Sequence, residues 1–213
     1  KIIDKTPASR QTLLFSATYP EGIKGISGSV QRDPIEISVE DSHHSPDIEQ
    51  VFFKVEKSER IQTLFNVLAH YQPESTLIFC NTKQQCHDLS GELRELDLHA
   101  LALHGDLEQF ERDQVLAQFS GKSSSILIAT DVAARGLDVK ELAAVINFEL
   151  SRDPEVHIHR IGRTARAGSK GLAVSLFTAS DKRHLQAVEE YQGSAAKIVS
   201  TTVLTDPTNF KLY

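Results

Sequence analysis

The chain of 213 residues contains no methionine and no tryptophan, and only two cysteines. Cys80 and Cys86 are too few for a disulfide framework, and no Cys/His grouping has zinc spacing, so no metal site is expected and the compartment reads as reducing and cytoplasmic. The lack of even an initiating methionine points to an internal piece of a longer protein. No apolar run approaches the ~18 residues a membrane helix needs, and the opening KIIDKTPASR has no signal-peptide core. Aromatics make up 7% of the residues and are not interleaved with basic ones, which argues against a base-stacking platform. The formal charge of −6 removes bulk electrostatics as a reason to expect nucleic acid, and there are no internal repeats.

The charge is uneven, however. Residues 151–170 hold Arg152, Arg160, Arg163, Arg166 and Lys170 against only Asp153 and Glu155. Within them, HRIGRTARAG (159–168) repeats arginine every third residue between Gly162 and Gly168. Guanidinium groups fork two donors onto phosphate oxygens, so the cluster fits a polyanion contact of small footprint. The plainer alternative is a solvated arginine face on a helix.

Short β-rich apolar runs alternate with amphipathic stretches along most of the chain. The runs are TLLFSA (12–17), IEQVFFKVE (48–56), TLIFC (76–80), HALAL (99–103), SILIAT (125–130), AAVINF (143–148) and GLAVSLF (171–177). Helices are expected over 58–71, where Ser58 is the N-cap and Ile61, Leu64, Phe65 and Leu68 share a face, over 82–96 behind Thr82, and over 108–119. Single helices between strands predict a three-layer α/β domain with a mostly parallel central sheet. A weak helix (20–30) and a short strand, IEISV (35–39), precede the polar, aperiodic EDSHHSPD. The organisation expected is a remnant over 1–39, a linker at 40–47, a domain over 48–192, and an extension or linker at 193–213.

Ligands of parallel α/β sheets bind at the carboxyl ends of the strands. SAT (16–18), CNT (80–82), HGDLEQFER (104–112) and ATDVAARGLD (129–138) all fall at such ends, forming an elongated polar surface. Turn chemistry alone accounts for Gly, Asp, Asn and Thr there, but not for Arg135, Arg163 and Arg166 together. Gly121-Lys122-Ser123 is not a phosphate loop: the first glycine of that motif would fall on Leu116, and the run precedes a strand instead of following one.

Five segments in this order, SAT, LIFCNT (77–82), HGDLEQFERD (104–113), ATDVAARGLD and HRIGRTARAG, resemble the motifs of the second half of a DEAD-box ATP-dependent RNA helicase. The resemblance runs from about residue 9 to about 190. SRQTLLFSATYPE and NFELSRDPEVHIHRIGRTARAG are further similar to the bacterial DbpA-like subgroup. It implies a RecA-like second domain preceded by the end of the first, with the phosphate loop and the magnesium-handling D-E-A-D sequence outside this chain. It also implies ATP as cofactor, Mg2+ held by that other domain, RNA as partner, a part in ribosome assembly, and no activity for this piece alone. A DNA helicase of the same superfamily and a non-catalytic phosphate-binding module remain as alternatives.

Roles follow from the resemblance residue by residue. Arg163 and Arg166 match arginine fingers, Asp138 matches the ribose carboxylate, and Arg135 with Gly136 matches the phosphate side of the nucleotide site. Gly105, Gln109, Arg112 and Thr130 match positions along the RNA backbone. Asn81, Thr82 and Asp131 match groove or interface positions, with helix capping equally open. Ser16, Thr18, His159 and Arg160 are implied at the interdomain surface. Ala165 stands where glycine is usual, and its methyl is expected to be tolerated.

Overall fold

The computed structural model describes residues 3–15, 21–37, 48–135, 137, 142–165 and 170–205, with the backbone alone at 21–24. The expected linker 40–47 and the site residues Ser16, Thr18, Gly136, Asp138 and Arg166 lie outside them. The chain divides into two compact units, residues 1–41 and 42–213.

In the first unit, a helix α1 (Glu21–Val30) occupies the segment expected to be weakly helical. The strand expected over 12–17 is not formed in its described part, nor is that of 35–39 over 35–37. A strand is completed by its neighbour's hydrogen bonds, and among the described residues this unit offers no second strand. The apolar side chains therefore face water: Leu13 is 68% exposed, Phe15 88% and Ile35 89%. Gln31 Nε2 donates to the Thr12 carbonyl at 3.2 Å, tying the segment to the end of α1.

The second unit is a parallel sheet with helices on both faces. In chain order its elements are β1 (Ile48–Lys54), α2 (Arg60–Tyr71), β2 (Thr76–Phe79), α3 (Lys83–Glu95), β3 (Ala100–Leu103), α4 (Gln109–Ser120), β4 (Ile126–Ala129), α5 (Asp131–Ala134), β5 (Ala144–Asn147), α6 (Pro154–Ile161), β6 (Gly171–Phe177), α7 (Lys182–Gln192) and β7 (Ile198–Val199). The strand order is β3-β4-β2-β5-β6-β1-β7, and every pairing is parallel. Six strands fall within the runs read from the sequence. β7 does not: Ile198 and Val199 pair with Phe52 and Phe53 in a tail that carries no periodic signal. Ser58 is not the cap of α2, because a 3-10 turn over Lys57–Glu59 leads directly into the helix and Glu59 takes the N-cap position.

Strand alternation splits the core. On one face Val51, Phe53, Ile78, Ile128, Ile146 and Val174 pack under Leu64, Val67 and Leu68 of α2 and Leu89 and Leu93 of α3. The other face carries two separate clusters. Leu77, Phe79, Leu127 and Val145 meet Ala133, Ala134 and Phe119, while Phe52, Leu150 and Phe177 meet Leu185 and Val188. Asn147 and Ser175 follow the parity of Val145 and Phe177, so a polar seam runs between the two apolar clusters. The candidate site is built on that seam.

Candidate functional site

Helix α6 is set by local chemistry. Pro154 fixes the first turn, the Asp153 carboxylate accepts from the Glu155 N–H at 2.9 Å, and Gly162 ends the helix. His157, Arg160 and Ile161 form its buried side. The arginine triplet is therefore not a helix face: Arg160 points inward one turn before the helix stops, and Arg163 follows the cap.

Arg160 is 1% exposed, and each of its five N–H donors is used. Nε and Nη2 fork onto the Asp131 carboxylate at 2.6 and 2.8 Å. Nη2 also donates to Asn81 Oδ1 at 2.9 Å, and Nη1 donates to Asn147 Oδ1 at 3.2 Å and to the Glu149 carbonyl at 2.9 Å. The guanidinium lies 5.1 Å from the Phe79 ring centre. A buried cation is tolerated only when paired and fully hydrogen-bonded, and this one meets both conditions. Its acceptors stand at or just past the carboxyl ends of β2, β4 and β5, three adjacent strands, so one side chain locks three loops to α6. The lock extends further: Asn81 Nδ2 donates to the Leu150 carbonyl at 3.1 Å, and Arg60 Nη1 pairs with Glu149 Oε1 at 2.8 Å.

Arg160 thus organises the interior of its own unit, where all its donors are consumed. Asn81 and Asp131, implied by resemblance at groove or interface positions, spend side-chain acceptors on Arg160. The spacing His157-Arg160-Ile161, which is i, i+3, i+4 from a buried histidine, carried the signal for the inward arginine.

Arg135, His159 and Arg163 line one cleft together with Phe79, Val156 and Asp131. Arg135 and His159 are exposed and Arg163 is half-buried. Arg135 ends α5, its N–H bonded to the Asp131 carbonyl at 3.2 Å. Arg163 N–H donates to the Arg160 carbonyl at 3.1 Å. The next turn is held tightly. Thr164 Oγ1 donates to the Leu142 carbonyl at 2.5 Å, and a Cβ on Gly171 would lie 2.6 Å from the Ala165 N. Ala165 has φ +53°, the left-handed region, where the absent Cβ explains why glycine serves well and a methyl carries strain of about 1 kcal/mol.

A second surface is formed by the loops after β2, β3 and β4. Thr82 caps α3, its Oγ1 accepting from Gln85 N–H at 3.2 Å, and Thr130 Oγ1 accepts from Ala133 N–H at 3.4 Å. Gln109 opens α4, exposed, with Nε2 on Asp113 at 2.8 Å. Arg112 Nη2 reaches the Ala133 carbonyl at 3.3 Å and ties α4 to α5. Gly105 lies exposed in the turn after β3, with open space where a Cβ would be. Two features escaped the sequence analysis here. Phe110 stands 70% exposed beside Gln109, and Lys83 Nζ pairs with Asp106 Oδ1 at 2.8 Å. The Lys83 hydrogen bond holds the Asp106 carboxyl below the usual carboxylate range.

Deeper in, His157 is fully buried with both ring nitrogens lacking a hydrogen-bond partner, its ring stacked 5.9 Å from that of Phe52. Burial first, and the Arg160 charge second, push its pKa down to about 4. Cys80 and Cys86 are buried free thiols, and the hydrogen bond between them, with burial, pushes the Cys80 thiol up. Among the described residues no three His, Cys, Asp or Glu side chains are grouped to hold a metal, and no helix is long and apolar enough to cross a membrane.

Comparison with known proteins agrees with this architecture. The helicase conserved C-terminal domain family matches residues 56–168, more than half of the chain. The chain is 51% identical over 189 residues to the ATP-dependent RNA helicase DbpA of Escherichia coli, covering 89% of this chain and 41% of that protein. DbpA of Bacillus subtilis is 39% identical over 193 residues, covering 90% and 40%. The chain thus spans about two fifths of the length of these relatives. A structure of Saccharomyces cerevisiae Dbp5 bound to RNA and ADP BeF3 superposes with a TM-score of 0.84 at 28% identity, over 94% of this chain and 54% of that one. An all-parallel sheet and these likenesses lead to one conclusion: the chain belongs to the helicase conserved C-terminal domain family and has the RecA-like fold of the DEAD-box proteins it resembles.

Proposed function

We propose that this chain is the part of an ATP-dependent RNA helicase that presents arginines to the nucleotide and backbone-binding groups to RNA. The observation that carries the reading is the Arg160 lock. By fixing α6 to the ends of β2, β4 and β5, it holds Arg135, His159 and Arg163 on one cleft while the loops after β2, β3 and β4 form another surface. Phosphoryl transfer places developing charge on the γ-phosphate, and a cation delivered from a second body stabilises it. Arg163 and Arg166 fill that role, Arg135 and Gly136 stand by the phosphates, and Asp138 takes the ribose. His159, together with Ser16 and Thr18 from the first-domain segment, is assigned to the contact between the two RecA-like domains. Gly105, Gln109, Arg112, Thr130 and Thr82 follow the RNA backbone, where contacts to phosphate and sugar position a strand without reading sequence.

The divisions at 1–39, 40–47, 48–192 and 193–213 then correspond to the end of the first domain, the linker, the second domain and a lead to an RNA-binding module. The division of the fold into units at 41/42 supports the first boundary, whereas β7 and the buried Leu204 extend the second domain past residue 192. ATP and Mg2+ are bound jointly with the other RecA-like domain, which supplies the metal's carboxylates, so this chain alone is inactive. Action in the cytoplasm on ribosome assembly accords with the DbpA likeness. The test is Arg163→Ala in a full-length helicase carrying this domain. RNA-stimulated ATP hydrolysis should fall on the order of 10³-fold with RNA affinity nearly unchanged. Intact turnover with collapsed RNA binding would reverse the assignment.

A further inference from the structure

Lys83 opens α3 after β2 and Asp106 lies in the turn after β3, and these strands are not neighbours, because β4 lies between them. Their ion pair therefore spans the end of β4, where Thr130 caps α5, and crosses the surface assigned above to RNA. Its side chains are 61% and 58% exposed. An exposed pair of this kind adds almost nothing to stability, since side-chain ordering and hydration offset the Coulomb gain. It is also easily opened. A phosphodiester oxygen offers Lys83 the same charge and the same acceptor geometry as a carboxylate, so exchange of one anion for the other is nearly isoenergetic.

We propose that Asp106 is a built-in competitor for RNA phosphate, holding Lys83 across the strand ends until an RNA strand displaces it. The inference rests on the assignment of this face to RNA. When the strand arrives, Lys83 turns from Asp106 to the backbone, and the released carboxylate lies beside the bound phosphates and opposes them. Asp106 thus keeps affinity moderate and lets the strand leave, while Lys83 adds one cation beyond Arg112 to the track. Neighbouring Glu108 and Glu111 bond each other at the start of α4, through Glu108 N–H to Glu111 Oε2 at 2.8 Å, and leave Lys83 to Asp106.

The experiment is binding of a fluorescent oligouridylate strand to this chain, titrated across salt concentrations, for the parent, Lys83→Gln, Asp106→Asn and the double variant, with thermal unfolding as the fold control. Lys83→Gln should weaken binding and flatten the slope of log K against log salt by ~0.7, one counterion on a single strand. Asp106→Asn should tighten binding at low salt by clearly more than the about three-fold that removal of one charge at ~7 Å in a water-like dielectric gives, because the freed lysine adds to it. In the Lys83→Gln background only that direct charge effect, at most about three-fold, should remain. A gain of equal size in both backgrounds would make Asp106 a bystander charge and overturn the gate, as would no gain at all. Absence of salt-dependent binding by parent and Asp106→Asn alike would overturn the RNA assignment itself, and the gate with it.

Discussion

Arg160→Met removes the lock while keeping most of the side chain's length. Two Asp131 oxygens, the Asn81 and Asn147 amide oxygens and the Glu149 carbonyl lose their donors together. Removing one partner of a buried ion pair typically costs about 3–5 kcal/mol, because the other charge stays behind uncompensated. Asp131, with 30% of its side chain exposed, can regain water, which moves the expectation to the lower end, about 3 kcal/mol. For a domain of this size that corresponds to a melting temperature lower by about 6–12 °C. Arg160→Lys keeps the charge but has three donors on one nitrogen and cannot fork onto Asp131 while reaching Asn147, so about half of the loss should remain. Urea unfolding of Arg160→Met, Asp131→Asn and the double variant checks the mechanism as well as the size. The double variant should be milder than the sum by at least about 1 kcal/mol. Additive losses, or an Arg160→Met variant within about 1 kcal/mol of the parent, would refute the lock.

Three further outcomes follow from other parts of the structure. His157 is held neutral by burial, with a folded pKa of about 4 below an ordinary 6.5, so the unfolded chain binds more protons between those values. Its contribution is complete above pH 6.5 and is lost as pH falls toward 4, by up to about 3 kcal/mol; urea midpoints from pH 7.5 to 4.5 should decline, and His157→Leu should flatten that decline. Gly171→Ala would press its methyl into Thr164 and within 2.6 Å of the Ala165 N, costing about 1–3 kcal/mol by calorimetry and disturbing the turn that carries Arg163. Leu13, Phe15, Ile35 and Ile37 are exposed together in the first unit, so sedimentation should show concentration-dependent association of the whole chain and a monomer for residues 48–213; monomers in both would count against association through that unit.

What the sequence reveals differs by kind of interaction. TLIF, ILIA and GLAVSLF announce buried strands because every residue in them must leave water, and the structure buries all of them. TLLFSA carries the same signal, yet its described part forms no strand, since apolar composition states a need for neighbours and does not supply them. β7 fails in the opposite way: two half-exposed residues recruited by the open edge of β1 need no pattern of their own. The candidate site follows the same logic. Residue types and order placed Arg135, Arg163 and the strand-end loops, because those depend on local chemistry at the end of each strand. They did not separate Arg160 from Arg163, three positions apart in one motif. Only packing does so, since α6 ends at Gly162, leaving one arginine under the helix with five acceptors around it and the other beyond the cap on the cleft. The two arginines are thus linked as support and tool. The buried one fixes the height and direction of the turn from which the other reaches, so a loss at Arg160 should appear as misplacement of Arg163 before it appears as loss of fold.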